Sequence, residues 1–227
     1  MEAANIMKKI LPRRVKNIVK KYTFYLKYGF LPSPEGTDLT GYEILLDTIL
    51  NTKVYELDGD VVEIGAFLGG GTYKLSKLMD KIAPEKKIFV IDIFESNFDQ
   101  TRCTVGKSMS EIYSSILKGR NQYETYKNVI KDCRNVLTIV GDSHKAKLPC
   151  EKICFAYIDG NHSPEYVRND FYLVWNKLVS RGIVSFDDYG FDLPQVTETI
   201  HKLIGEQSDK ILRVWTAGLK TIFIQKK

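Results

Sequence analysis

Val61-Val-Glu-Ile-Gly-Ala-Phe-Leu-Gly-Gly-Gly-Thr72 decides the fold. Val61–Ile64 is an apolar run of strand length, closed by a glycine, and three more glycines lead into Thr72–Ile82, which reads as a helix. A buried strand turning through glycines into a helix is the opening half of a parallel βαβ unit. The alternation continues outward from it. Lys87–Asp92, Val136–Val140, Ile153–Asp159 and Gly182–Phe186 read as strands, with helical stretches at 108–133, Pro164–Val179 and Leu193–Ile204. Ile211–Thr216 and Thr221–Gln225 flank Ala217-Gly218 as a hairpin. Strands that are apolar throughout, rather than alternating, imply a sheet covered on both faces. The expected architecture is α/β: a Rossmann-like, doubly wound, mostly parallel seven-stranded sheet with a C-terminal antiparallel hairpin, plus N-terminal helices.

A chain of 227 residues, 44% hydrophobic and 27% charged, can bury a sizeable core. Cys103, Cys133, Cys150 and Cys154 form no C-x-x-C pair, which excludes a zinc ribbon or thioredoxin-type site and points to buried free thiols. The N-terminus lacks the apolar core and cleavage site of a secretory signal, so a cytoplasmic protein is expected. The net charge of +5 is local. Residues 1–34 hold eight basic residues against Glu2 alone, leaving 25 basic and 27 acidic residues in 35–227. A body that is slightly acidic argues against nucleic acid as a partner. Residues 1–36 read as a basic amphipathic helical segment, broken from a 37–227 domain by Leu31-Pro-Ser-Pro-Glu-Gly36. Val15, Ile18, Val19 and Tyr22 follow helical spacing. The plain expectation packs that stripe on the domain with lysines in water; peripheral contact with an anionic membrane is the alternative. Homo-oligomerisation is left open.

The glycine turn fits neither common nucleotide motif. Gly69-Gly-Gly-Thr-Tyr-Lys74 puts Lys74 where a dinucleotide fingerprint needs its third glycine, and no phosphate-loop Gly-Lys-Thr follows. Glu63, Gly65 and Gly69 instead match E/D-x-G-x-x-x-G, and the segment resembles motif I of class I S-adenosylmethionine-dependent methyltransferases. That resemblance implies cofactor contacts from Glu63, Gly65, Ala66, Gly69, Gly71 and Thr72, with Glu63 steering the methionine ammonium. Asp92, ending the second strand one βα unit later, is positioned to accept hydrogen bonds from ribose hydroxyls. Asp142 and Ser143, after the third strand, are candidates for adenine, although an Asx-turn also accounts for Asp142.

Ile158-Asp-Gly-Asn-His162 and Ser185-Phe-Asp-Asp-Tyr189 end the next two strands. If those strands are neighbours, Asp159, Asp187 and Asp188 converge, and three close carboxylates need a cation or raised pKa values. All-oxygen ligands select Mg²⁺, Mn²⁺ or Ca²⁺. These motifs resemble metal-dependent small-molecule O-methyltransferases: Ile158–Val167 and Gly182–Tyr189 are similar to the macrocin (antibiotic-sugar) group, and the motif-I region to catechol O-methyltransferase. The likeness runs from about residue 40 to 190. It implies divalent-metal-dependent methyl transfer from S-adenosyl-L-methionine to a hydroxyl of a small molecule, with a sugar or glycoside favoured. Asn161 departs from relatives that carry a second acid there, which leaves His162, or Asp159, to accept the proton. A histidine with its ordinary pKa near 6.5 suits that role. Phe94–Arg134, with Tyr113, Arg120, Tyr123 and Tyr126, is long enough to cover a polar ring. The alternatives are a metal-independent methyltransferase and a non-catalytic nucleoside-binding domain.

Overall fold

The computed structural model describes residues 12–38 and 41–227. The basic segment's first eleven residues, with Lys8, Lys9, Ile10 and Leu11, lie outside the described residues. Among the described residues, seven α-helices and seven strands follow in the order α1 (Arg13–Tyr28), α2 (Glu43–Thr52), β1 (Asp60–Ile64), α3 (Gly70–Ile82), β2 (Ile88–Asp92), α4 (Met109–Leu117), α5 (Gln122–Ile130), β3 (Val136–Val140), β4 (Ile153–Ile158), α6 (Pro164–Trp175), β5 (Leu178–Phe186), α7 (Pro194–Glu206), β6 (Ile211–Ala217) and β7 (Thr221–Lys226). The strand order is β3-β2-β1-β4-β5-β7-β6. The first five strands are mutually parallel, and β7 runs antiparallel to β5 and β6. This is the expected doubly wound sheet with its closing hairpin.

Side-chain alternation divides the core in two. Val62, Ile64, Ala156, Ile158, Val184 and Phe186 face one way, onto Phe171 and Trp175 of α6 and Ile200 of α7. Val61, Val90, Phe155, Tyr157 and Ile183 face the other, onto Leu75 of α3 and Leu46 of α2. Every residue of β4 is buried, because helices cover the sheet on both sides. All four cysteines are free and buried.

Three features differ from the sequence expectation. The 108–133 stretch is two helices, divided where Lys118 (φ 49°) and Gly119 (φ 79°) adopt left-handed backbone. The helix expected to reach Val179 ends at Trp175, and β5 begins at Leu178, so part of one apolar run serves each element. The third difference is in α1. Val15, Ile18, Val19 and Tyr22, expected to pack on the domain, are 38%, 66%, 50% and 62% exposed. The helix is fastened instead by Phe24 and Tyr28 on its opposite side, which join the core beside Tyr42 and Leu46.

β1 sits between β2 and β4, so successive crossovers leave it in opposite directions. A crevice therefore opens at the carboxyl ends of these strands. Register aligns the rim: Ile64 pairs with both Ile91 and Ile158, and Ile158 pairs with Phe186. One backbone bond beyond each strand carries the order further, from Gly65 N–H to Ile91, Asp159 N–H to Ile64, and Asp187 N–H to Ile158. The strand-end acids are thus held by the sheet itself.

Candidate active site

Two clefts open at this rim. The first is lined by Asp92, Glu95, Phe98, Asp142, Ser143 and Tyr166 among others. The second is lined by Thr37, Tyr42, Ala66, Gly71, Asp188 and Lys220 among others. Gly65, Phe67, Tyr113 and Asp159 line both, so the clefts meet there.

The glycines have separate reasons. Gly65 has φ +87°, and a Cβ on it would lie 2.0 Å from the Asp159 carbonyl oxygen, so only glycine lets β1 end this close to β4. Gly70 and Gly71 make room for neighbours: Cβ atoms there would meet the Thr37 carbonyl at 2.4 Å and the Tyr42 ring at 1.9 Å. Gly69 packs on Tyr126. Thr72, assigned from sequence to the cofactor, is fully buried and donates its hydroxyl to Glu63 at 2.5 Å. Glu63 is also fully buried; burial pushes its carboxyl up to about 8, against hydrogen bonds from Thr72 and Tyr42 that favour the charged form. Neither Glu63, Gly69 nor Thr72 lines a cleft, whereas Gly65, Ala66, Gly71, Asp92, Asp142 and Ser143 do.

Asp92 does more than end β2. Its Oδ2 accepts the N–H groups of Ala66 (2.8 Å) and Phe67 (2.9 Å), and its Oδ1 accepts that of Phe94 (2.6 Å). Phe67 and Phe94 both have positive φ, at 49° and 54°, so the carboxylate fixes two strained turns at once. Glu95 and Ser96 line the same cleft three and four residues on. No spacing in the sequence singles them out.

The acids expected from β4 and β5 do converge, with partners the sequence does not indicate. Asp188 has φ 57°, which breaks strand alternation, and both Asp187 and Asp188 reach the Lys220 ammonium, the latter at 2.7 Å. Lys220 comes from the β6–β7 turn. Asp187 also accepts from Thr221 Oγ1 at 3.4 Å. Asp159, His162 and Asp188 each present a ligand atom within 4.8 Å of the other two. Asp187, expected as a third metal ligand, is turned toward Lys220 and Thr221.

His162 is 4% exposed. Asp99 Oδ2 lies 2.6 Å from its Nδ1 and accepts its backbone N–H at 3.1 Å. Its Nε2 lies 2.9 Å from Asp188 and 3.9 Å from Asp159 without an aligned hydrogen bond. Burial alone would lower the imidazole's pKa, but Asp188 and Asp99 outweigh it and push it up to about 10. The two acids thus favour the protonated ring, in the direction away from the ordinary value near 6.5 expected from sequence. Burial, then Asp187 and Asp188, hold Asp159 well above the usual carboxylate range. Burial works against ionisation of Asp188 too, yet His162 and Lys220 bring it down to about 2.

Of the four residues expected to cover the site, Tyr113 alone lines a cleft, tilted against Phe67 with ring centroids 5.2 Å apart. Tyr126 is buried and hydrogen-bonded to Thr138, Tyr123 packs against Phe94, and Arg120 caps its own helix.

A family model described as a methyltransferase domain matches residues 62–189. The O-methyltransferase NovP shares the fold at TM-score 0.65 and 16% identity, over 81% of this chain and 78% of that one. CalS11, a TDP-rhamnose 3'-O-methyltransferase of calicheamicin biosynthesis, gives TM-score 0.55 and 16% identity, over 80% of this chain and 77% of that one. The MycE methyltransferase of mycinamycin biosynthesis, solved with Mg, SAH and mycinamycin VI, gives 0.51 and 15%, over 82% of this chain and 49% of that one. No curated protein matches significantly in sequence. The matched span runs from β1 to the Asp187-Asp188 pair, and so takes in the glycine turn, Asp92 and every acid of the rim: the chain belongs to the methyltransferase-domain family.

Proposed function

We propose that this protein transfers a methyl group from S-adenosyl-L-methionine to a hydroxyl of a small, sugar-like acceptor, with a divalent cation. The observation that carries this reading is the meeting of two clefts at Gly65, Phe67, Tyr113 and Asp159. A methyl transfer needs one arm for the donor and one for the acceptor, open to each other at a single point. The first cleft suits the nucleoside: Asp92, Glu95 and Ser96 for the ribose, Asp142 and Ser143 for adenine. Gly65, Ala66 and Gly71 flank the methionine end, with the buried Glu63 carboxyl behind them. The catalytic unit is 37–227, with Phe24 and Tyr28 lending packing from the preceding segment.

The donor set fits a hard dication. Asp159 and Asp188 offer convergent carboxylates beside His162, in a cluster whose acids repel one another. Such a cation, held by Asp159 and Asp188 with Asp187 behind them, would lower the pKa of the acceptor hydroxyl and offset the carboxylate field that keeps His162 charged. His162, its Nδ1 held by Asp99, would in its neutral form be placed to receive the hydroxyl proton at Nε2, beside Asp159. One feature favours a metal-independent variant: Lys220 already supplies a positive charge to Asp187 and Asp188.

Calorimetric titration of S-adenosylhomocysteine, with and without Mg²⁺, tests the donor site; turnover of nucleotide sugars and catechols with chelator and with Mg²⁺ restored tests the metal. Binding, with turnover lost in chelator and recovered with Mg²⁺, supports the proposal. Absence of binding in both conditions overturns it, and turnover that survives chelation transfers the electrostatic role to Lys220.

A further inference from the structure

We propose that α1 is a docking helix for an anionic lipid bilayer. At 100° per residue, Val15, Ile18, Val19, Tyr22, Tyr25 and Leu26 fall within one arc of about 120°. All six are exposed, Ile18 and Leu26 at 66%. Phe24 and Tyr28, on the opposite side, are buried in the core. The last turn is bolted down: Tyr28 Oη donates to Asp47, Lys81 Nζ donates to the Tyr28 carbonyl, and the Gly29 N–H caps Tyr25. The outward face of α1 is therefore not a frayed end waiting to fold onto the domain. It is a held apolar stripe.

The charges on the helix identify what covers that stripe. α1 carries Arg13, Arg14, Lys16, Lys20, Lys21 and Lys27 and no acid. On the same projection Lys16, Lys20 and Lys27 border the stripe on one side, and Arg14 and Lys21 on the other. These five side chains are exposed, Lys27 while ion-paired with Asp47. A helix with an aliphatic and aromatic face between two basic edges lies in a membrane interface, its rings and aliphatic groups among the acyl chains and its lysines reaching headgroup phosphates. A second copy of the helix is a poor match, because pairing two such stripes brings basic edge against basic edge without an acid between them.

Docking on lipid does not depend on the methyl-transfer reading, and its test uses neither donor nor acceptor. The full chain is sedimented with vesicles of phosphatidylcholine alone and of phosphatidylcholine mixed equally with phosphatidylserine. Binding to the mixed vesicles, reversed by high salt and at least about tenfold stronger than to phosphatidylcholine alone, is the expected result. Ile18→Ser with Leu26→Ser, and separately Lys20→Glu with Lys21→Glu, each lower that binding about tenfold or more. All four positions are exposed, so the melting temperature stays put, and either pair serves if the other folds poorly. Equal recovery with both vesicle types, or a concentration-dependent dimer abolished by the Ile18/Leu26 pair, overturns the proposal.

Discussion

Replacing Asp92 by alanine separates a residue that only touches ligand from one that builds the site. Its carboxylate accepts three backbone N–H groups, from Ala66, Phe67 and Phe94. A hydrogen bond to a charged acceptor contributes about 1.5–3 kcal/mol net, so three independent bonds would give about 4–9 kcal/mol. These three share one half-buried carboxylate, whose ionisation burial opposes, and water can replace part of what is lost. A loss of about 3 kcal/mol is the conservative expectation, or about 6–12 °C of melting temperature for a chain of this size. The positive φ values of Phe67 and Phe94 push the same way, because Asp92 accepts a backbone N–H from each. Thermal unfolding followed by circular dichroism measures the stability, and calorimetry with S-adenosylhomocysteine measures the site. Asp92→Asn, which keeps one acceptor oxygen, should fall between wild type and Asp92→Ala in both. Melting within about 1 °C of wild type, with affinity alone reduced, would show that the three bonds contribute nothing net and that Asp92 acts only on ligand.

Gly65→Ala should yield little folded protein, since its Cβ overlaps the Asp159 carbonyl and its φ is +87°; a soluble variant with a normal melting curve refutes the close approach of β1 to β4. Glu63 ionises near 4.5 when unfolded and near 8 when folded, so the folded chain keeps the proton longer. Its contribution to stability is therefore greatest below pH 4.5 and declines to a plateau above about 8; melting curves from pH 4 to 9 should show that decline, and Glu63→Gln should flatten it. Lys220→Met leaves Asp187 and Asp188 facing each other, and should lower stability by about 2 kcal/mol in chelator, less than for a fully buried pair because Lys220 is a quarter exposed. Added Mg²⁺ should restore part of that stability; no response to Mg²⁺ counts against a cation on Asp159 and Asp188.

Much of the rim was legible because each parallel strand is an apolar run that stops at a polar residue. Asp92, Asp142, Asp159 and Asp187 mark those stops, and sheet register then brings neighbouring ends together. What escaped notice depends on distance along the chain or on direction. Asp99 meets His162 across 63 residues, and Lys220 reaches Asp188 across 32, from a hairpin turn with no motif. Helical spacing in α1 reveals an apolar stripe, but not that Phe24 and Tyr28 on the other side face the domain. Thr72 reads from sequence as a cofactor residue because it follows the glycines; the fold adds that its hydroxyl donates to Glu63. The same holds for His162, whose protonation is set by two aspartates that the local sequence does not reveal.

The left-handed backbone at Asp188 also constrains how this family member can change over generations. Glutamate preserves the charge, yet it fits that conformation poorly, whereas asparagine and glycine adopt it readily. The substitutions easiest on the backbone are thus the ones that remove the carboxylate. A lineage drifting toward a domain that holds a nucleoside without reacting could pass through an asparagine or a glycine at this position without backbone strain. If Asp188 holds the cation proposed above, position 188 is where such descendants would differ from working enzymes.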